Sequence, residues 1–109
     1  MITVQLKKIA GELRQLRVFG HANQGTYGKD IVCAGVSSAV QMLINGITEI
    51  LKLRCELEKN NNEVRLAITD TSASNLQAGL LFMEAFFLHI SILGKENSNA
   101  ITVEVMEVL

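Results

Sequence analysis

The sequence predicts an α+β fold, a two-layer sandwich of order ββαββαβ in which two helices pack on one face of a mixed sheet. Three observations lead to this prediction. The chain has 109 residues, 49% hydrophobic and 19% charged, which fits one domain over residues 1–109 with one core. Apolar and polar residues alternate in five short segments. In two longer segments, apolar residues recur at spacings of three and four.

The first two strands are predicted over residues 2–6 and 13–19, as a hairpin. Residues 20–30 follow, with three glycines and no periodicity, and they predict a flexible surface loop. Long loops in small domains tend to be functional. Helical spacing over residues 31–51 predicts the first helix, with Asp30 as its N-cap.

The second half repeats the pattern of two strands and a helix. Alternation over residues 53–57 and 64–68, separated by turn residues, predicts a second hairpin. Ser74 and Gln77 resemble a capping box and introduce a helix over residues 76–93. A last strand is predicted over residues 101–105. The two halves are too different to count as a repeat.

The second helix is apolar on nearly every side. One sheet face covers only one side of a helix, so we expect a homodimer through this helix. Its apolar run, residues 80–93, is shorter than the roughly 20 residues that a bilayer requires, so we expect no membrane span. The apolar residues expected to exceed what the sheet covers are Leu80, Phe82, Phe86, Phe87 and Ile90.

Charge and the chain start limit the partners and the compartment. The formal net charge is -1, so no strong field attracts polyanions, and we expect no direct nucleic acid partner. Residues 1–8 alternate and turn charged at once, unlike a signal peptide, which predicts a cytoplasmic protein. The spacing of Cys33 and Cys55 fits no metal signature. We expect neither a metal nor a cofactor.

Cys33 is the residue that most suggests chemistry. With Asp30 as N-cap, its thiol would lie on the first helical turn, where free amides and the helix dipole favour a thiolate. His21, at the other end of the glycine-rich loop, could supply an imidazolium. Together they would form a Cys and His pair for acyl transfer, with the early helical amides stabilising an oxyanion.

Structural roles compete with this hypothesis. A lone cysteine on an apolar helix is more often core filler, and only the position of Cys33 makes the two interpretations about equal. Cys55, inside a short apolar strand, is interpreted as core filler. His89, among apolar residues, is interpreted as a core or interface histidine. A zinc site from these three residues and His21 would have no diagnostic spacing.

Two segments carry a resemblance to a known family. They are Gly20-His21-Ala22 and Gly28-Lys29-Asp30-Ile31-Val32-Cys33-Ala34-Gly35-Val36-Ser37. They resemble the pattern of the bacterial ribosomal-processing cysteine protease family, Prp: Gly-His-Ala, a variable loop, then Gly-x-Asp-Ile-Val-Cys-Ala-Ala/Gly-x-Ser. Every fixed position is present. Chain length and element order also agree with this family.

The resemblance implies a homodimeric endopeptidase that cuts after an aromatic residue and removes the N-terminal extension of a large-subunit ribosomal protein. It implies that Cys33 is the nucleophile of an acyl-enzyme mechanism and His21 the general base and acid. Asp30 and Ser37 match motif positions with a supporting or orienting role. The alternatives are a noncatalytic peptide-binding module in ribosome assembly and a thiol redox sensor.

The loop itself offers a place for a peptide substrate. Gly25 and Gly28 would let the segment between His21 and Cys33 open for an extended peptide and close over it. Tyr27, expected at the loop tip, would pack against an apolar side chain of the substrate. We therefore predict that these three residues form a substrate loop.

Overall fold

The computed structural model describes residues 1–20 and 27–109, and it confirms the order ββαββαβ. A π-helical segment, Gly46–Ile50, continues directly from the first helix. The elements are β1 (Ile2–Ile9), β2 (Glu12–Gly20), α1 (Tyr27–Asn45), β3 (Cys55–Lys59), β4 (Glu63–Ile68), α2 (Leu76–Glu96) and β5 (Ile101–Val108).

The five strands form one mixed sheet in the order β3-β4-β2-β1-β5. β1 is antiparallel to β2 and parallel to β5, and β4 is antiparallel to both β2 and β3. The first hairpin turns through Ala10 and Gly11, both at positive φ, as tight two-residue hairpin turns require. The chain therefore begins inside the sheet, because β1 has a strand on either side.

The core lies between the sheet and the two helices. In β1 the side chains of Ile2, Val4 and Leu6 are buried, which is what strict alternation predicts for one face of a strand. α2 packs on β2 and β5 and lies beside α1. Met83 and Ile90 of α2 have no exposed surface. Both helices thus cover the same face of the sheet, as predicted.

The opposite face of the sheet is polar. Arg17 lies between Arg65 and Gln5 in the strand register, and the carboxylate of Glu63 accepts hydrogen bonds from both arginines. Gln5 in turn donates through Nε2 to Oε2 of Glu104, at 2.9 Å. The hydrogen bonds from Arg17 and then Arg65 hold the pKa of the Glu63 carboxyl below its usual range.

The start of α1 corrects one prediction. The helix begins at Tyr27 and not at Ile31, so Asp30 is its fourth residue and not its N-cap. Tyr27 and Gly28 likewise belong to its first turn and not to a loop. Glycine costs about 1 kcal/mol relative to alanine in a helix, which weakens a helix without ending it. Glycine content alone therefore placed the boundary too late.

α2 begins at Leu76, as predicted, but its N-terminus is not capped as predicted. The N-cap position is Asn75, one residue after Ser74, and it makes no side-chain capping hydrogen bond. Its Nδ2 donates instead to the Leu51 carbonyl, at 2.7 Å. In the preceding turn, Asp70 accepts from the amides of Arg54, Ser72 and Ala73, and these bonds, Arg54 first, lower its pKa. The predicted capping box is therefore wrong.

The outer surface of α2 differs from the expected one. Phe86 is only 5% exposed and Ile90 is 0% exposed, and Leu80 is buried as well, because all three belong to the hydrophobic core. The large apolar residues exposed on α2 are Leu81, Phe82, Leu88 and Ile92. The surface left for a partner is thus a different stripe of the same helix.

Helix length does not exclude a membrane span, contrary to the expectation from the apolar run of residues 80–93. α2 has 21 residues, and both α2 and residues 31–50 are long and apolar enough to cross a bilayer by length and composition. In the fold, one side of each of these helices packs into the core. Packing on the sheet, and not helix length, explains their apolar composition.

Candidate active site

Cys33 is a free thiol on α1, half-buried, and it packs against the hydrophobic core. It is the seventh residue of the helix, one full turn beyond the position that was predicted. An amide at this depth donates to the carbonyl four residues earlier, and the effect of the helix dipole fades beyond the first turn. The helix N-terminus therefore does not supply the anion-stabilising amides that the sequence analysis assigned to Cys33.

The surroundings of Cys33 come from α1 itself and from α2. Ser37 is exposed and follows Cys33 by four residues, so the two lie on the same side of the helix. A Cβ added to Gly35 would meet the Leu93 side chain at 3.8 Å. The C-terminal half of α2 therefore passes close beside the turn of α1 that carries Cys33.

His21 and Gly25 lie outside the described residues, as do the side chains of Tyr27 and Asp30, and the burial of Gly28 is not described. The prediction that His21 directly follows a strand is confirmed, since β2 ends at Gly20. The pairing of His21 with Cys33, and the roles given to Gly25, Asp30 and Ser37, stay predictions.

The second cysteine lies in a different environment. Cys55 begins β3, a strand at the edge of the sheet, and pairs with Ile68 of β4. It is half-buried against the core, and burial raises the pKa of its thiol. A thiol that resists ionisation and packs on apolar residues fits the interpretation of Cys55 as core filler.

His89 is exposed and not part of the core. It lines a groove of about 550 Å³ between α1 and α2, together with Ser38, Met42, Phe82 and Ala85. Among residues 1–20 and 27–109, no three His, Cys, Asp or Glu side chains come together as metal ligands would. The core alternative for His89 is therefore wrong, and the interface alternative stays a prediction.

Sequence reasoning missed Gly20. It has a φ of +87°, and a Cβ there would lie 2.4 Å from the carbonyl oxygen of Met1. Real Cβ atoms essentially never come that close, so only glycine fits. The available signal was a glycine that ends a strand immediately before the proposed catalytic histidine.

Comparison with known proteins points to one family. The family described as cysteine protease Prp matches residues 1–102. The ribosomal processing cysteine protease Prp of Staphylococcus aureus, in strains Mu50 and NCTC 8325, is 32% identical over 82 residues, which are 74% of this chain and 77% of the relative.

Solved structures have the same fold. SMU.848 from Streptococcus mutans has a TM-score of 0.87 and 26% identity, covering 99% of this chain and 96% of the other. Prp from S. aureus with a substrate peptide has a TM-score of 0.82 and 22% identity, and with a covalently linked product peptide 0.82 and 24%. Both alignments cover 96% of this chain and 99% of the other.

The match of the family extends over nearly the whole chain and includes Cys33. The curated relative passes 30% identity over about three quarters of both proteins. The fold that the strand and helix patterns predict is the fold of these proteases. The chain therefore belongs to the Prp family and is a cysteine protease.

Proposed function

We propose that this chain is an endopeptidase that removes the N-terminal extension of a large-subunit ribosomal protein, with Cys33 as nucleophile and His21 as general base and acid. The observation that carries the proposal is the free, half-buried Cys33 within the family motif on α1. The name of the curated S. aureus relative, a ribosomal processing protease, supports the substrate class.

The proposed reaction proceeds through a thioester. His21 takes the thiol proton of Cys33 as the sulfur attacks the carbonyl carbon of the scissile bond. The C–N bond then breaks, and His21 gives that proton to the leaving amine. Water attacks the thioester carbonyl and His21 takes one of its protons; the C–S bond then breaks, His21 returns that proton to the sulfur, and the acid product releases its remaining proton to solvent as a carboxylate.

The covalent step is supported by a relative. One S. aureus Prp structure holds a covalently linked product peptide, and another holds a substrate peptide. Membership in a family of cysteine proteases also argues against the noncatalytic peptide-binding module. The redox-sensor alternative finds no support either, because Cys55, the other cysteine, lies on an edge strand and has a raised thiol pKa.

Incubation with ribosomal proteins tests the activity. Purified large-subunit proteins with native N-termini are mixed with the chain, and intact masses are measured over time. We expect one of them to lose a short N-terminal peptide that ends in an aromatic residue. A rapidly quenched sample should carry that peptide as a mass adduct on the chain, and Cys33→Ala should give neither product nor adduct. Trimming by Cys33→Ala would contradict the proposal.

We further propose that the protein is a homodimer through the outer side of its helices. Leu81 and Leu88, seven residues apart on α2, are 67% and 63% exposed, and Met42 of α1, which lines the groove between the two helices, is 79% exposed. Large apolar residues gathered on one surface typically mark a contact with a partner. A second copy would cover them on both chains by a two-fold axis.

Two glutamate substitutions on α2 test the dimer. Leu88→Glu changes an exposed residue and should give a folded monomer, whereas Phe86→Glu buries a charge in the core and should prevent folding. Sedimentation velocity and circular dichroism measure the two outcomes. A wild-type protein that sediments as a monomer at micromolar concentration would rule out the dimer.

We also propose that the protein acts in the cytoplasm on a peptide and not on nucleic acid. On the polar face of the sheet, Arg17 and Arg65 are both engaged by Glu63 and are not free to bind phosphates. Fractionation of cells and gel-shift titration with ribosomal RNA would test both statements.

A further inference from the structure

Gly20 ends β2 immediately before the proposed catalytic histidine. It pairs with Ile2 of β1 and has a φ of +87°, in the left-handed region that side-chain-bearing residues rarely adopt. Its carbonyl carbon is bonded to the nitrogen of His21. The conformation of Gly20 therefore sets the direction in which the chain leaves the sheet toward His21.

A second feature independently requires glycine here. A Cβ at this position would lie 2.4 Å from the Met1 carbonyl oxygen, 3.5 Å from the Met1 carbonyl carbon and 3.8 Å from the Cα of Ile2. All three atoms are backbone atoms. They cannot rotate away, as the end of a flexible side chain could.

The Met1 side of this contact is held in place. The Met1 carbonyl and the Ile2 amide belong to one peptide unit, and that amide donates to the Ala100 carbonyl at 2.8 Å. Ile2 also pairs with Ile101 of β5 and is only 3% exposed. A collision at Gly20 is therefore relieved more easily by moving the chain that leaves β2 than by moving β1.

We propose that Gly20 is a positioning residue for catalysis, because its left-handed conformation against the Met1–Ile2 peptide unit fixes the direction in which the chain leaves β2 just before the proposed general base. This inference rests on the proposed function, in which His21 is the general base. Gly20 touches neither substrate nor reacting atoms in this proposal and acts only through His21.

The first hairpin offers a matched control. Gly11 has a φ of +82°, nearly that of Gly20, yet a Cβ there would meet nothing within 4 Å. Gly11→Ala thus carries the backbone cost of a positive φ without the collision. Gly20→Ala carries both. The difference between the two variants isolates the contact with the Met1–Ile2 peptide unit.

The experiment measures peptide cleavage by Gly20→Ala, Gly11→Ala, His21→Ala and the double variant Gly20→Ala/His21→Ala. We expect Gly20→Ala to lower kcat at least tenfold with little change in KM, and Gly11→Ala to leave both near wild type. In the His21→Ala background, Gly20→Ala should have no further effect, because the two residues act as one unit.

The rate of Cys33 alkylation against pH gives a second readout without substrate. In a Cys55→Ala background, alkylation measures the Cys33 thiol alone. In that background, Gly20→Ala should shift the pH profile of the alkylation rate toward the profile of His21→Ala. A folded Gly20→Ala protein with wild-type kcat would overturn the inference. The inference would also be overturned if Gly20→Ala lowered kcat by the same factor in the wild-type and in the His21→Ala backgrounds. If His21→Ala itself cleaves normally, the proposed general base fails, whatever Gly20 does.

A further variant decides the case in which Gly20→Ala does not fold. A chain that begins at Ile2 lacks the Met1 carbonyl, so a Cβ at residue 20 no longer meets that oxygen. We expect Gly20→Ala in this shortened chain to keep kcat within about threefold of the shortened chain with Gly20. A tenfold or larger loss there would show that the collision is not the cause and would overturn the inference.

Discussion

Cys33 and Cys55 are both free thiols, both half-buried and both in contact with the hydrophobic core. They differ in the element that carries them and in the sequence around them. Cys33 lies on α1 inside a motif shared with a protease family, while Cys55 begins an edge strand and is surrounded by turn and strand residues. Burial has raised the pKa of the Cys55 thiol.

The difference between the two thiols shows that burial alone does not separate a nucleophile from a filler residue. Both would pass as core cysteines by exposure. What distinguishes Cys33 is its connection, through one segment of chain, to a histidine that follows directly after β2.

Activity should separate the two cysteines most strongly. Cys33→Ser should lower the rate of peptide cleavage at least about 10³-fold, because a hydroxyl is a far weaker nucleophile than a thiol. Cys55→Ser should remain within about threefold of wild type, since Cys55 has no proposed part in the reaction. A quenched-fluorescence peptide assay measures both. A large loss in the folded Cys55→Ser protein would abolish the contrast.

Reactivity toward iodoacetamide should separate them next. In the native protein at pH 7.5, Cys33 should be alkylated at least about tenfold faster than Cys55, because burial disfavours the thiolate of Cys55 and Cys33 is the proposed nucleophile. Peptide mapping by mass spectrometry follows the two sites separately. In guanidinium chloride the rates should converge, and equal rates in the native protein would contradict the prediction.

Substitution of Cys55 should change the stability of the protein more than it changes the rate of cleavage. Cys55→Ser places a hydroxyl against the core beside Ile68 and should lower the free energy of unfolding by about 1 kcal/mol. Cys55→Ala is the control that removes the sulfur without adding a hydroxyl. Urea denaturation at pH 7 measures both variants. A Cys55→Ser protein as stable as wild type would show that the site is wetter than its packing indicates.

The smallest effect concerns pH. The folded pKa of Cys55 is raised above its ordinary value of 9.0, so folding favours the neutral thiol. This contribution to stability is fully present below the unfolded pKa and is lost as pH rises from the unfolded pKa through the folded one. Relative to Cys55→Ala, the wild type should therefore lose stability above about pH 9. If the difference in free energy of unfolding between the wild type and Cys55→Ala stayed constant from about pH 7 to about pH 10.5, the prediction would be contradicted.

The positions of strands and helices followed from the sequence because period two and period 3.6 place side chains on opposite faces or on one stripe. Buried Ile2, Val4 and Leu6 agree with their alternation, and the apolar stripe of α1 agrees with its buried Val36, Val40 and Leu43. Boundaries did not follow in the same way. Gly28 and Asp30 resemble loop and cap residues, yet both are helical.

The candidate site was predictable in part. The motif predicts Cys33 as the nucleophile, which stays a prediction, and a strand before His21 is confirmed, since β2 ends at Gly20. The reason given for a reactive Cys33 was wrong, because α1 begins six residues before Cys33, so its first turn does not include Cys33. Helix boundaries depend on small differences in local free energy, so a chemical argument that needs one exact turn is fragile.

The sequence by itself determined the order of elements, the inward face of each strand and the family of the protein, because these depend on local periodicity and on two short motif segments. Only the tertiary structure decided that β5 lies parallel beside β1, that Leu88 and not Phe86 of α2 faces outward, and that Gly20 abuts the Met1 carbonyl. Each of these is a contact between residues distant in sequence. Such contacts depend on how the sheet and helices pack as a whole, which no local pattern records.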